Sequence, residues 1–447
     1  MSSARETIMF TLEQHGIDES YSSVLSSMRL SNPEKFSCSS DDELTVWELL
    51  PEWIVSYQES QRSAGEYIYD ILNKDTVFAR FTLRETDLVS PFGVTTGHRV
   101  CDIEIVDTAL YESVVGLLDL QTFIEGRKAP KHRAHIKKMF AYLDFTDIKN
   151  FIDISYGLSM NDTIWIRPKG DSSSWTNINL YDNTFNDVIA HYAFSGVGLL
   201  GIQFQTTSPE FSTNGALPKM WKYTEVGPHL YKGSTSYLGI SNSGFEPYAE
   251  YYAAQIAKRM DFYPYVEYDL RIVDGELVSD CSLFTSKETA YVSASKILQI
   301  KKLDASQLYG YLDSIGFLES YNDILFFDCV ICNPDRHYGN FGILTDTNAY
   351  SPISMAPIFD NGMSLGFNWT TKSRMSIIEM ANEPGPCLQP DFGFIDTGKA
   401  LLNEQRRAAI ERLRNWEIPK HPMYNFPAEK YEAMNDLLQH QIKKILS

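Results

Sequence analysis

A polar segment, CNPDRHYGNFGIL at residues 332–344, constrains the fold more than any other part of this chain. It follows the apolar run DILFFDCVIC, which has the length of a helix, and its last residues open the strand-like run FGILTD. A second strand-like stretch, MAPIFDNG, comes next and carries Asp360 at its end. The predicted order is therefore helix, short polar loop, strand and strand, with polar side chains in the loop and at the end of the second strand.

The side chains in these two places suit phosphoryl transfer. Asp335 and Asn340 have the D-x-x-x-x-N spacing of a kinase catalytic loop, in which the carboxylate orients the attacking hydroxyl and the amide oxygen holds magnesium. Asp360, followed by Asn361 and Gly362, takes the position of the second metal ligand, the D-F-G aspartate of protein kinases. N-P-D and D-N-G are also ordinary turn sequences. Their occurrence together, in this order, favours a kinase domain that uses ATP and Mg²⁺.

Candidates for the nucleotide-binding half of such a domain lie upstream. Gly215, in the polar turn of SPEFSTNGALPKMWK, is a candidate for a loop over the phosphates, although a single glycine is a weak signal. Lys232 lies on the strand-like PHLYKGST, and Glu250 lies on the amphipathic helix EPYAEYYAAQIAKRM. This spacing suits an ion pair between a strand and the next helix, which would hold the lysine on the phosphates. A surface lysine and a solvated glutamate are the alternative.

The charge balance bears on the partners. With 39 basic and 58 acidic residues, the chain has a formal net charge of -19, which disfavours direct binding of nucleic acid or an anionic membrane. No apolar stretch approaches the ~20 residues that span a bilayer, and no secretory signal is recognisable at the start. Six cysteines in a chain of this length are typical of free thiols. These features predict a cytoplasmic protein whose partner is a protein or a small molecule.

Two further motifs receive structural interpretations. Cys329 and Cys332 form a C-x-x-C, but they lie in an apolar run and a second ligand pair is missing from the sequence, so core thiols are expected. The basic cluster GRKAPKHRAHIKK is expected to be one solvated helix face, with binding to an acidic partner or nucleic acid as the alternative. The cluster comprises Arg127, Lys128, Lys131, Arg133, Lys137 and Lys138.

The pattern along the chain predicts four parts. Residues 1–99 form an N-terminal module of unknown role, and residues 100–204 form a middle module that packs on the kinase. Residues 205–288 form the mixed N-terminal lobe of the kinase, and residues 289–447 form its mainly helical C-terminal lobe. A hinge of small residues near 281–288 joins the two lobes.

With these motifs the chain resembles the HipA family, bacterial serine/threonine kinases that act as toxins in toxin–antitoxin pairs. The similarity runs from about residue 100 to the C-terminus and is most specific in NPDRHYGNFG, APIFDNGMSL, TNGALPKMWK and GFEPYAEYYAAQIA. It implies an α+β, two-lobed, protein-kinase-like fold with additional N-terminal modules, and ATP and Mg²⁺ as cofactors. The first ~100 residues have no counterpart in the archetypal toxin, and no helix-turn-helix is recognisable in the chain.

The resemblance assigns roles to individual residues. Asp335 becomes the catalytic base, Asn340 and Asp360 become the magnesium ligands, and Lys232 binds the ATP phosphates. His337, in the D-x-H part of the motif, orients the catalytic loop. The nucleotide-binding set is Gly215, Lys232, Glu250, Ser282, Phe284, Asn340 and Asp360.

The resemblance also implies a hinge and a regulatory site. The stretch Cys281–Thr285, with Ser282 and Phe284 in it, contacts adenine through its backbone. Ser212, just ahead of the loop glycine, takes the position of a serine that these kinases phosphorylate themselves, which ejects the loop and blocks ATP. A serine in a polar turn is the simpler explanation of Ser212.

The implied substrate is a protein, by resemblance a translation factor or an aminoacyl-tRNA synthetase, and the implied partner is a separate antitoxin. Two other functions fit the same residues. D-R-H-x-x-N is also the loop pattern of phosphoinositide kinases, so a lipid or small-molecule kinase is one alternative. A nucleotide-binding pseudokinase that only scaffolds a partner is the other, and the simultaneous presence of Lys232, Asp335, Asn340 and Asp360 disfavours it.

Overall fold

A computed structural model describes residues 4–15, 17, 20–31, 35–36, 43–61, 66–90, 93–198, 207–239, 243–388 and 391–447. The chain divides into two compact units. The first consists of Met1–Asp70, Arg80–Glu104 and Arg167–Ser173, and the second of Ile71–Ala79, Ile105–Ile166 and Ser174–Ser447.

The first unit begins with three helices, α1 (Ala4–Gln14), α2 (Tyr21–Ser31) and α3 (Glu43–Gln61). They enclose a small apolar core whose central residues, Ile8, Leu12, Val24 and Met28, are fully buried. The strands β1 (Glu66–Asn73), β2 (Thr76–Ser90), β3 (Gly93–Ile105) and β4 (Ile164–Pro168) form a sheet in the order β3-β2-β1-β4. Residues of these strands are divided between the two units.

The second unit starts with short helices, most of which begin at a side-chain cap. Asp107, Asp119, Asp147 and Asn186 each accept a hydrogen bond from a backbone amide of the first turn. The helices are α4 (Thr108–Val114), α5 (Leu120–Glu125), α6 (Ile136–Tyr142), α7 (Ile148–Ser155), α8 (Trp175–Ile178) and α9 (Asp187–Ser195).

An antiparallel sheet and one long helix follow. The strands β5 (Lys219–Thr224), β6 (Gly227–Lys232), β7 (Asp269–Val273) and β8 (Glu276–Ser282) lie in the order β5-β6-β8-β7. Helix α10 (Glu246–Met260) joins β6 to β7 and contacts β7 and β8. Because Lys219 pairs directly with Lys232, these two side chains share one face of the sheet.

The remainder of the second unit is mainly helical. A three-stranded sheet of β9 (Thr289–Ser293), β10 (Gly342–Asp346) and β11 (Pro352–Met355) lies in the order β11-β10-β9. The helices are α11 (Ala294–Lys301), α12 (Gln307–Ser314), α13 (Leu318–Ile331), α14 (Ile377–Asn382), α15 (Phe394–Ala400), α16 (Glu404–Glu411) and α17 (Ala428–Leu446). The predicted α+β fold class is confirmed.

Helix α13 lies in a large apolar core of the second unit. Nine of its residues, among them Phe326, Phe327 and Val330, are buried, and it contacts α15 and α17. Cys329 and Cys332 are 0% and 1% exposed in the same core. The expectation of core thiols is confirmed.

Two local expectations are corrected by the structure. The strand predicted to run to Asp360 ends at Met355, and Ile358 forms only an isolated bridge with Tyr265. Pro357 between them has no amide hydrogen to donate to a strand ladder.

The basic cluster at 127–138 is not one solvated helix face, because Arg127 and Arg133 are 8% and 2% exposed.

No helix among the described residues is both long enough and apolar enough to cross a membrane.

Candidate active site

The ammonium group of Lys232 joins three separate segments of the chain. It lies at the end of β6 and donates a hydrogen bond of 2.7 Å to Oε1 of Glu250 on α10. It also forms a short ion pair with Oδ1 of Asp360, in the loop after β11. The structure therefore contains the strand–helix ion pair that the spacing suggests, and it adds the distant aspartate to the same cation.

Glu250 also anchors the segment that carries Asp360. Its side chain is 0% exposed, and its Oε2 accepts a hydrogen bond of 2.7 Å from the backbone amide of Asn361. Burial raises the pKa of Glu250, and the ammonium of Lys232 opposes this rise. One carboxylate thus orients both the lysine and the aspartate loop.

Asp360 is the most exposed member of this group, with 26% of its side chain accessible against 10% for Lys232. Its φ of +57° is in the left-handed region, and its amide donates to the hydroxyl of Tyr268 at 3.2 Å. Burial alone would raise the pKa of Asp360, but the positive charges of Lys232 and Lys219 outweigh burial and hold the pKa below its usual range. Asp360 is therefore an accessible, ionised carboxylate.

The catalytic-loop candidates form a compact turn. The amide of Asn340 donates through Nδ2 to the carbonyl of Asp335 at 2.9 Å and to its Oδ2 at 3.4 Å. The amide of Asp335 donates to Oδ1 of Asn333 at 3.1 Å. His337 is exposed, and its Nδ1 accepts from the amide of Gly339 at 3.0 Å, so its ring stabilises the turn itself.

The electrostatics connect this turn with Asp360. The pKa of Asp335 is raised, first by burial and then by the negative charge of Asp360, while His337 and Lys232 oppose the rise. A carboxylate with a raised pKa is a better proton acceptor than an ordinary aspartate.

The donor set suits a magnesium ion held together with phosphates. Asn340 uses its Nδ2 within the turn, which leaves Oδ1 as its side-chain atom for a metal, and Asp360 supplies an accessible carboxylate. Among the described residues there is no group of three or more His, Cys, Asp or Glu side chains that could hold a metal. Mg²⁺ in nucleotide sites is commonly bound by one or two protein oxygens plus phosphates and water, and this pair of residues fits that pattern.

Lys219 is a site residue that our sequence interpretation did not single out. It is 6% exposed, lies opposite Lys232 on the next strand, and donates to the carbonyl of Asn214 at 2.7 Å. Burial, followed by repulsion from Lys232, lowers the pKa of Lys219 to about 8. Its position after the polar turn TNGALP, at the start of the next strand, was the available signal.

The turn with Gly215 packs on this second lysine. Gly215 has a φ of +96°, and a Cβ atom there would lie 1.9 Å from Nζ of Lys219. A larger residue here would strain the backbone, because φ is positive, and would also displace the ammonium of Lys219. Glycine avoids both effects. Ser212, earlier in the same turn, is 6% exposed, and its hydroxyl donates to the carbonyl of Pro209 at 3.4 Å.

The hinge candidates lie at the end of β8 and just after it, and the side chains at the end of the strand lie on different faces. In the β6–β8 register, Cys281 shares the face of Lys232, whereas Ser282 lies on the opposite face and its Oγ is 3.2 Å from Nε2 of His229. Phe284 packs against Phe359, with ring centroids 5.2 Å apart. The side chain of Ser282 is therefore not brought together with Lys232, and only its backbone could contribute to that face.

The fold and the site define a two-lobed, protein-kinase-like α+β protein. No known protein-family profile matches the chain, and no curated protein matches it by sequence. Among solved structures, the Helicobacter pylori proinflammatory kinase CtkA is 19% identical with a TM-score of 0.42, covering 51% of this chain and 91% of that chain.

A second similar structure is HipA of the Shewanella oneidensis MR-1 toxin–antitoxin system, solved with HipB and operator DNA. It is 10% identical with a TM-score of 0.47, covering 85% of this chain and 97% of that chain. At these values the likeness concerns the fold alone and does not identify a ligand or a substrate.

Proposed function

We propose that this chain is a HipA-like, ATP- and Mg²⁺-dependent kinase that phosphorylates a serine or threonine hydroxyl of a protein. Lys232 and Lys219 would hold the phosphates of ATP, and Asn340 and Asp360 would hold Mg²⁺. Asp335 would orient the substrate hydroxyl and take its proton. When bound, Mg²⁺ would neutralise phosphate charge and help to align the transferred group.

The observation that carries this proposal is the charge balance around Lys232. A purely structural ion pair needs one cation and one carboxylate, whereas here Glu250 and Asp360 share a single ammonium group. Asp360 is the accessible member of this pair, because its side chain is 26% exposed. An accessible, ionised carboxylate beside two buried lysines suits a ligand that brings both a cation and phosphates, as Mg·ATP does.

Two substitutions separate the roles of the aspartates. Asp360→Ala should abolish Mg²⁺-dependent ATP binding, because it removes a metal ligand. Asp335→Ala should bind ATP normally yet lose phosphoryl transfer by about 10²–10⁴-fold, because its carboxylate acts on the hydroxyl and not on the nucleotide. Isothermal calorimetry with and without Mg²⁺, together with transfer of label from γ-labelled ATP, measures both effects.

The same experiment distinguishes the alternatives. Tight ATP binding without any transfer in the wild type would support a pseudokinase, and transfer only to lipid or small-molecule hydroxyls would support the other class of kinase. An ATP affinity that depends neither on Mg²⁺ nor on the side chain of Asp360 would exclude the site described here.

The proposal extends to regulation and partners. Ser212 is buried in the turn over Lys219, so its hydroxyl can reach the site only after the turn has moved. Phosphate on Ser212 would add negative charge beside the place where the ATP phosphates bind and would keep the turn displaced.

By analogy with the HipA structure solved with HipB, a separate antitoxin protein would bind this chain.

A further inference from the structure

Arg336 connects the two candidate metal ligands. Its side chain is 2% exposed, and it follows Asp335 directly in the chain. Its Nη1 donates to the carbonyls of Asn340 at 2.8 Å and Phe359 at 2.6 Å, and its Nη2 donates to Oδ1 of Asn361 at 2.6 Å. One guanidinium therefore binds the backbone of one ligand residue and both neighbours of the other, Asp360.

A buried carboxylate on α13 fixes this guanidinium in turn. Asp328 is 1% exposed and accepts from Nε of Arg336 at 3.0 Å and from Nη2 at 2.9 Å. It also accepts from Nδ2 of Asn333 at 3.1 Å, and Asn333 in turn accepts from the amide of Asp335. Both ends of the catalytic turn and the aspartate loop are thus tied to a single point on a core helix.

We propose that Arg336 is a positioning residue that fixes the separation of Asn340 and Asp360 and thereby determines the preference of the site for Mg²⁺ over Ca²⁺. This inference rests on the proposed function, because it takes these two residues as metal ligands. Mg²⁺ demands near-ideal octahedral geometry with short bonds, whereas Ca²⁺ accepts longer and more irregular coordination. A site whose ligands are held rigidly favours the smaller ion, and a loosened site loses that discrimination.

Lysine cannot replace arginine in this network. The planar guanidinium of Arg336 donates in fixed directions to the carboxylate of Asp328, to two backbone carbonyls and to the side-chain oxygen Oδ1 of Asn361. A lysine has one flexible ammonium with three donors, so it keeps the charge but cannot hold all of these acceptors in one plane. Arg336→Lys therefore changes the spacing of the ligands while preserving the local charge.

A matched control is available in Arg406. It is 3% exposed, forms ion pairs with the largely buried Asp323 at 2.8 Å and the exposed Glu319 at 3.0 Å, and donates to the carbonyl of Leu401. Neither these partners nor Arg406 itself belongs to the candidate site. Arg406→Lys thus measures the general effect of weakening a buried arginine network in the same lobe.

The experiment measures ATP binding by calorimetry in full-length protein, with Mg²⁺ or Ca²⁺ titrated as the only divalent ion. We expect wild type and Arg406→Lys to show the same preference for Mg²⁺. Arg336→Lys should lose Mg²⁺ affinity by about 10-fold or more, the range seen when outer-shell partners of metal ligands are removed, and should lose less for Ca²⁺.

Asn361→Ala provides a milder second variant, because it removes one acceptor of Arg336 and keeps the arginine. It should shift the Mg²⁺/Ca²⁺ ratio in the same direction by a smaller factor, and it keeps the test decisive if Arg336→Lys fails to fold. An unchanged ratio in the folded variants, or an equal change in Arg406→Lys, would overturn the inference. Metal-independent ATP binding by the wild type would instead overturn the proposed function.

Discussion

At the scale of single residues, the pairing of Lys219 with Lys232 is the feature with the clearest chemical consequence. The two lysines lie opposite each other on β5 and β6, and both are largely buried. Their surroundings differ, because Lys232 contacts two carboxylates while Lys219 contacts the carbonyl of Asn214. Lys232 therefore keeps its proton, and Lys219, whose pKa is lowered to about 8, can lose it near neutral pH.

ATP affinity should consequently fall as the pH rises. Below pH 8 the charged form of Lys219 predominates and attracts the phosphates, and above it the neutral form does not. Between pH 7 and pH 9 the dissociation constant should rise by up to about tenfold, since one pH unit beyond a pKa leaves a tenth of the group protonated. Calorimetry at saturating Mg²⁺ measures this dependence.

Lys219→Arg is the control for this pH dependence, because a guanidinium stays charged throughout this range. It should bind ATP with a nearly constant dissociation constant from pH 7 to pH 9. A wild-type profile as flat as that of the arginine variant would remove Lys219 from the phosphate site.

At the scale of structural elements, the segment before α6 holds the candidate phosphate turn in place. Arg133 donates to the carbonyl of Glu210 at 2.9 Å and to that of Lys219 at 2.8 Å, and it forms a short ion pair with the carboxylate of Glu210. The amide of Ala134 donates to the carbonyl of Ala216 at 2.9 Å. Arg127 and Arg133, which were predicted to be solvated, are thus buried. Arg133 fixes the turn that contains Ser212.

Replacing this anchor should loosen the turn. Arg133→Met leaves the fully buried carboxylate of Glu210 without its cation, which should lower the free energy of unfolding by about 3–5 kcal/mol. At saturating Mg·ATP it should also increase phosphate on Ser212, because that buried hydroxyl becomes accessible. Chemical denaturation and mass spectrometry measure the two effects.

Arg127→Met is the matched control for the turn. Arg127 also forms a largely buried ion pair, with Asp162 at 2.8 Å, and contacts the carbonyl of Gly157 rather than the phosphate turn. It should destabilise the fold without changing Ser212 phosphorylation, and Asp335→Ala should carry no phosphate there. Equal phosphorylation in both arginine variants would argue against a specific role of Arg133.

At the scale of the whole molecule, the net charge of -19 means that acidic groups repel one another over much of the chain. The buried arginines do not change this balance, because Arg133 and Arg336 are paired with the buried carboxylates of Glu210 and Asp328. The net negative charge therefore lies on the other charged groups.

Salt should then stabilise the protein. Raising NaCl from 0.02 to 0.3 M shortens the Debye length severalfold and screens the repulsion between exposed acidic groups. We expect the melting temperature to rise by about 1 °C, the shift that ~1 kcal/mol produces in a chain of 447 residues when the unfolding entropy is about 2.1 cal/mol/K per residue. A neutral osmolyte at equal osmolality serves as the control in differential scanning fluorimetry, and a salt-induced fall in melting temperature would contradict the expectation.

The sequence was most informative where short motifs carry their own chemistry. The spacing of Lys232 and Glu250 and the D-N-G position of Asp360 predict site residues, and both carboxylates contact the ammonium of Lys232. Contacts between residues distant in the chain, by contrast, could not be predicted from the local sequence. Lys219 is brought into the site by cross-strand pairing, and the burial of Arg133 depends on Glu210, far away in the chain. The strand β11 ends at Met355, short of Asp360, because Pro357 has no amide hydrogen to donate to the ladder.

The thiol of Cys281 lies on the same sheet face as Lys232, at the start of the candidate hinge. Burial, followed by the negative charges of Glu250 and Asp280, raises its pKa to about 12. Because only the thiolate attacks electrophiles readily, this cysteine is a poor target for covalent inhibitors in spite of its position. Chemical probes for this protein would have to rely on reversible contacts with the backbone of the candidate hinge and with the aromatic side chains beside it.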